Sequence, residues 1–241
     1  MYKKASDSKT DTTKMVVYGK SNTGKTSLVR TIRKDKVLIV DAEKQGLDSI
    51  DDLATQSFRL YEDSTGKAVP RHKRYERLQK FLTHIVTPEG RKEGFKWLVF
   101  DSISEISQNI MEAEKYAQEQ KKANGEKVNN FELWGNYKEK MIGLLKDLRD
   151  IVGYNVLCLA LVDEVKNEDG IKEQSVEIEG NSCKQRVPAI FSQCFYMYVD
   201  PQGERKFITS STNGFIAKDR SRKTEKIEPA DIDHIIKKIK G

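Results

Sequence analysis

Four short runs along the chain are apolar at nearly every position, at residues 15–18, 36–41, 95–101 and 155–162. A strand with one wet face alternates polar and apolar residues. A run without alternation belongs to a strand covered on both faces, as in the parallel sheets of α/β proteins. Between these runs the apolar positions recur at helical spacing. They predict helices over residues 71–85, 103–122 and 131–151, and the first turns of a helix over 26–33. The breaker-rich segment from Lys121 to Lys127 separates two of them. Residues 163–187 are polar and read as a long loop. The last third predicts antiparallel strands at 194–199, 206–210 and 214–218, with a turn at Pro201, Gln202 and Gly203 and a closing helix over 229–239. Residues 1–13 are polar and are expected to be disordered, which leaves 14–241 as one domain without internal repeats. The expected fold is therefore α/β, a mostly parallel central sheet flanked by helices, with antiparallel strands near the C-terminus.

Composition narrows the class. A chain of 241 residues with 37% hydrophobic content can bury the core of one ordinary domain. The formal charge of +6 hints at a polyanionic partner, although many lysines alternate with acids in the manner of a solvated surface. The three cysteines, Cys158, Cys183 and Cys194, lack C-x-x-C spacing, and the three histidines form no zinc pattern. Core packing is the expected use of the cysteines in apolar runs. Neither a signal peptide nor a bilayer-length apolar run is visible, so a cytoplasmic location without a membrane partner is expected.

The chemistry sits after the first apolar run. Gly19, Lys20, Ser21, Asn22, Thr23, Gly24, Lys25 and Thr26 fit G-x-x-x-x-G-K-[ST], and Ser27 follows at the start of a helix. Glycines allow consecutive N–H groups to converge on phosphate oxygens, and a helix N-terminus adds partial positive charge. Lys25 is expected to reach the β- and γ-phosphates of ATP, and the Thr26 hydroxyl to ligate Mg²⁺. A second apolar run ends in Asp101, as a Walker B strand does, which marks Asp101 as a further Mg²⁺ ligand. Many P-loop ATPases follow this aspartate with the glutamate that orients the attacking water. Here Ser102 follows, so the carboxylate must come from elsewhere. Glu43, at the carboxyl end of the second run, is the candidate, because neighbouring strand ends converge on the ligand crevice.

Asp41-Ala42-Glu43 and Asp101-Ser102 resemble the RecA-type recombinase core, in which the glutamate of the former segment is catalytic. Ile216-Ala217-Lys218-Asp219-Arg220 falls where RecA-type proteins carry two cations that reach the γ-phosphate of the adjacent protomer. From about residue 14 to 240 the chain further resembles phage-encoded RecA-like P-loop ATPases of the single-strand annealing type, a phage nucleotide-binding AAA-type family. Trp134 to Tyr137, Arg186 to Phe191, Ala217 to Arg220 and Glu228 to Asp231 carry that likeness. The resemblance implies a DNA-stimulated ATPase that anneals complementary single strands in phage recombination or replication. It implies a homo-oligomer, ring or filament, with Lys25, Glu43, Lys218 and Arg220 as the catalytic set, and a single-strand binding protein as a further partner.

The chain also departs from that pattern. Val162-Asp163-Glu164 stands where a polar sensor is usual, and the segment that joins RecA protomers into filaments has no counterpart among the first 13 residues. By the same resemblance, DNA faces the segments after the Walker B strand and the fourth strand. These supply Lys121, Lys122, Lys127, Phe131 and Trp134, and then Lys166, Lys172, Lys184 and Arg186 among the acids Glu164, Glu168, Asp169, Glu173, Glu177 and Glu179. Cations for the backbone and planar rings for stacking are what sequence-tolerant single-strand binding needs. A basic run, Arg71 to Arg74 with Arg77 and Lys80, is either a phosphate-tracking face or a solvated helix, and Phe131 and Trp134 at helical spacing also suit a core. Two other functions fit a P-loop: a small-molecule or nucleotide kinase, and a nucleotide-dependent switch. Turnover stimulated by single-stranded DNA separates both from the annealing ATPase.

Overall fold

The computed structural model describes residues 11–166, 170, 172–212 and 214–241. Most of the segment expected to be disordered, and the acids Glu168 and Asp169, lie outside the described residues. The strands are β1 (Lys14–Gly19), β2 (Val37–Asp41), β3 (Gln56–Arg59), β4 (Trp97–Asp101), β5 (Asn155–Lys166), β6 (Lys172–Val176), β7 (Gln193–Val199), β8 (Arg205–Ile208), β9 (Lys218–Asp219) and β10 (Ile227–Pro229). The helices are α1 (Arg71–Ile85), α2 (Pro88–Lys92), α3 (Ile103–Ala123), α4 (Asn130–Asp150), α5 (Asn181–Lys184), α6 (Val187–Ile190) and α7 (Ile232–Lys240). One sheet runs β10-β8-β7-β1-β5-β4-β2-β3, and from β3 through β7 every neighbouring pair is parallel. Strand β8 is antiparallel to β7, and β10 to β8.

The apolar runs produce this sheet because each side chain has a layer to enter. Val16, Tyr18, Leu38, Val40, Leu98, Phe100, Val156 and Cys158 point to the face covered by α1, α3 and α4. Their neighbours Met15, Val17, Val37, Ile39, Trp97, Val99, Leu157 and Leu159 point to the other, covered by Leu28, Val29 and α7. With period two in side-chain direction, two buried faces make every position apolar. Cys158 and Cys194, in apolar runs, are buried and free as the core reading expects, and Cys183 is buried and free as well.

Several elements differ from expectation. Strand β7 pairs parallel with β1, Val16 opposite Cys194, so in the last third only the strands after it are antiparallel. Its apolar run and the following turn predict a hairpin, and the hairpin with β8 forms; nothing local says which strand lies on the other side. The segment after the P-loop is a six-residue 3₁₀ helix, Thr26–Thr31, with no capping side chain and no acid in its first turn. Three β-branched residues in those six lower the helix propensity of the stretch, and short 3₁₀ pieces are common as connectors. Within residues 163–187 the polar segment pairs back on itself: β5 continues to Lys166 and β6 returns against it, Val162 opposite Val176. The expected strand over 214–218 is reduced to β9, bound to the start of β7. Phe131 is 89% exposed and Trp134 47%, so neither is core.

Candidate active site

Between the P-loop strand and the strand ending in Asp101 lies β5, so the loop must arch over the end of β5 to reach that carboxylate. It does so through Thr26, whose hydroxyl donates to Asp101 Oδ2 at 2.6 Å. The arch depends on two glycines. A Cβ on Gly19 would come within 2.4 Å of the Met197 carbonyl oxygen on β7, and Gly24 has φ +86°. Either substitution strains the loop. Thr23 Oγ1 donates to the Lys20 carbonyl and braces the turn at 3.0 Å. Lys20, Ser21 and Asn22 are exposed at its crest, and Lys25, Thr26 and Ser27 are half-buried behind it. The Lys25 ammonium folds over the loop and donates to the carbonyls of Gly19 at 3.0 Å and Lys20 at 2.7 Å. These are the bonds that phosphate oxygens would replace.

Carboxylates converge on this lysine. Parallel register sets Asp41 directly beside Asp101 at the carboxyl ends of β2 and β4. Burial pushes the Asp101 carboxyl up to about 7; the charges of Glu43 and Asp41 act in the same direction, while the Thr26 hydroxyl and Lys25 oppose it. Burial also raises Asp41 to about 6, against the hydroxyl of Tyr61, which donates to it at 2.8 Å. Glu43 follows β2 and accepts from the Ser102 hydroxyl at 2.6 Å. Ser102 caps α3, accepting from the Glu105 amide at 3.3 Å. The serine that replaces the expected glutamate therefore holds Glu43 at the end of the Walker B strand. Burial depresses the Lys25 pKa, while the charges of Asp101, Glu43 and Glu177 act against it.

Glu177, Tyr61 and Ser102 were not singled out as site residues by sequence. The capping pattern Ser102-x-x-Glu105 is local and readable. Glu177 reaches the site through tertiary contacts, with its amide on the Leu161 carbonyl and its carbonyl on the Ser104 hydroxyl. At the sensor position, Asp163 is paired with Lys184, whose side chain is 12% exposed. Lys184 is thus committed to a carboxylate beside the site.

The cationic pair of the C-terminal segment divides. The Lys218 ammonium donates to the carbonyls of Pro188 and Phe191 at the end of α6 in its own chain. Arg220 is exposed, and among the described residues its side chain has no ion pair. At the tip joining α3 to α4, Lys122, Lys127, Phe131 and Trp134 are exposed, and Lys121 pairs with Glu132. Trp134 meets Tyr137 edge-on at 6.0 Å, and Arg186 shares a groove with Gly135, Lys138 and Lys146 of α4. On α1 the basic run is engaged locally: Arg71 and Arg74 with Glu105, Lys80 with Glu76, and Arg77 over the Phe58 ring.

Among the described residues, no helix is long and apolar enough to cross a membrane. No curated protein matches the chain. A family model described as AAA domain matches residues 11–221, a span that takes in the P-loop, Glu43, Asp101 and the sheet through β9. The loop over β5, its lysine and the two strand-end acids are the parts such a nucleotide-binding domain requires, and the chain belongs to the AAA domain family of P-loop nucleoside triphosphatases.

Proposed function

We propose that this protein binds and hydrolyses ATP with Mg²⁺, binds single-stranded DNA and promotes annealing of complementary strands in phage recombination or replication, acting as a homo-oligomer. The observation that carries the ATPase reading is the pair of hydrogen bonds Thr26–Asp101 and Ser102–Glu43, made by adjacent residues at the end of the Walker B strand. Thr26 and Asp101 fit a magnesium ion: a hydroxyl and a carboxylate are in contact, with the carboxyl of Asp41 directly beside Asp101. When bound, the ion neutralises charge on the β- and γ-phosphates. Lys25 exchanges its loop carbonyls for phosphate oxygens. Glu43, oriented by Ser102, accepts a hydrogen bond from water and aims it in line with the leaving group. Catalysis is then positioning and electrostatics in a preorganised crevice.

The DNA reading is supported by the α3–α4 tip, which carries the 89% exposed ring of Phe131 and the exposed Lys122 and Lys127. An exposed Phe with no core to enter suits base stacking, and the lysines suit a phosphate backbone. The test is ATPase and annealing assays on one preparation, with and without single-stranded DNA. Annealing together with DNA-stimulated turnover is expected. ATP turnover indifferent to DNA, with no acceleration of annealing, removes this reading and favours the switch or kinase.

A further inference from the structure

We propose that Arg205 is a nucleotide-phosphate ligand, supplied by the same subunit as the P-loop and from the side opposite the acids. The proposal deepens the nucleotide-binding reading and rests on it. Its basis is where the β7–β8 hairpin ends. Gly19 lies opposite Met197 on β7, and Val199, two residues further, lies opposite Arg205. The first residue of β8 therefore stands at the carboxyl edge of the sheet, just beyond the level at which the P-loop leaves β1. The hairpin holds it there. Asp200 and Glu204 close the turn with a 2.9 Å backbone bond, and the Arg205 carbonyl accepts from the Ala230 amide at 3.0 Å.

From that position the side chain crosses β7 and lies on the P-loop. A Cβ built on Gly24 would come 2.5 Å from Arg205 Nε, 2.6 Å from Cζ and 2.9 Å from Nη2. The guanidinium thus covers the glycine that precedes Lys25, in space open only because that residue has no side chain. Its charge is unanswered: among the described residues Arg205 has no ion pair and no side-chain hydrogen bond. The nearby carboxylates of Asp200 and Glu204 are both engaged by Lys206. An exposed arginine fork with no counter-ion, lying against a phosphate-binding loop, presents the planar donor set that oxyanions accept.

The side it occupies selects the phosphates. Asp101 ends β4 and is bound to Thr26, and Glu43 follows β2 and is bound to Ser102, so the metal and the γ-phosphate would lie on that side. Gly24 and Arg205 lie toward β7. A triphosphate threaded through the loop presents its γ-group to the acids and its inner phosphates to Arg205. Contact with the α- and β-phosphates, which ATP and ADP share, is the consequence.

The test is equilibrium binding of ATP and of ADP, each with Mg²⁺, to the parent, Arg205→Ala, Arg205→Lys and Lys25→Ala, with melting of each nucleotide-free protein as a fold control. Arg205→Ala is expected to weaken ATP and ADP alike by about 10- to 100-fold, the range for losing a hydrogen bond to a charged group. Arg205→Lys should recover part of the loss, and the nucleotide-free melting temperature of both variants should match the parent's. Parent-like affinity of Arg205→Ala for both nucleotides, while Lys25→Ala loses them, overturns the role of Arg205 and leaves the P-loop reading intact. Loss of ATP affinity alone also overturns it, because it places the arginine at the γ-phosphate. A parent that binds neither nucleotide overturns both readings together.

Discussion

Asp101 is under two opposed demands. Folding buries it beside Asp41 and Glu43, which favours the protonated acid, whereas holding a metal requires the carboxylate, the form that the bond from Thr26 also favours. Its pKa of about 7 is raised above the ordinary carboxylate value, so the native state keeps a proton that the unfolded chain has released. The stability this group contributes is present below about pH 4 and is lost as pH climbs toward 7, with Asp41 adding a loss that is complete near 6. Asp101→Asn keeps the shape and an acceptor for Thr26 while removing the charge. At pH 8 the nucleotide-free variant is expected to melt above the parent, by on the order of 1–3 kcal/mol in stability, and to lose most of its turnover. Parent turnover should itself rise with pH through the region near 7. A variant that melts below the parent at pH 8 shows instead that the ionised carboxylate stabilises the native state.

At the scale of elements, the tip between α3 and α4 is where sequence and structure carry different information. The breaker-rich loop and both long helices are legible, because apolar periodicity and breaker residues are local signals. Whether Phe131 and Trp134 face the core is not, since helical spacing alone leaves the face open; the exposure of Phe131 settles it. With the rings outside, replacing Lys121, Lys122 and Lys127 by alanine should flatten the salt dependence of single-strand affinity, as fewer counterions are released. Phe131→Ala should weaken binding by about 1–3 kcal/mol at every salt concentration, the value of one stacked base. Unchanged slopes and affinities would move the DNA face elsewhere. The same contrast explains the strands. Fully apolar runs identify β1, β2, β4 and β5, whereas β3, with Phe58 its one apolar residue, is recognisable only beside β2. The P-loop, Asp101 and Glu43 are readable from spacing within single segments. The Ser102–Glu43 bond joins residues 59 apart and Arg205 reaches Gly24 across β7, so both emerge only from strand order and register.

For the whole molecule the open question is how many subunits make one site. Lys218 is held by the carbonyls of α6 in its own chain, which leaves Arg220 as the exposed member of the pair for a neighbour's γ-phosphate. A cation offered in trans can raise phosphoryl transfer by several orders of magnitude. Mixing Lys25→Ala with Arg220→Ala tests this, since an intact loop and an intact arginine can meet only across an interface. Turnover in the mixture well above either variant alone is expected. A mixture that co-assembles by sedimentation yet stays as inactive as its components confines Arg220 to its own subunit.

The central claim is that Glu43, presented by Ser102, performs the water-orienting role that many P-loop ATPases give to the residue after the Walker B aspartate. Glu43→Gln preserves size and the bond from Ser102 while removing the charge. Nucleotide affinity and steady-state turnover, measured on the same preparation of parent and variant, test that claim most directly. The account predicts ATP affinity close to the parent's and turnover reduced by about 10²-fold or more. Turnover equal to the parent's, with binding intact, contradicts it.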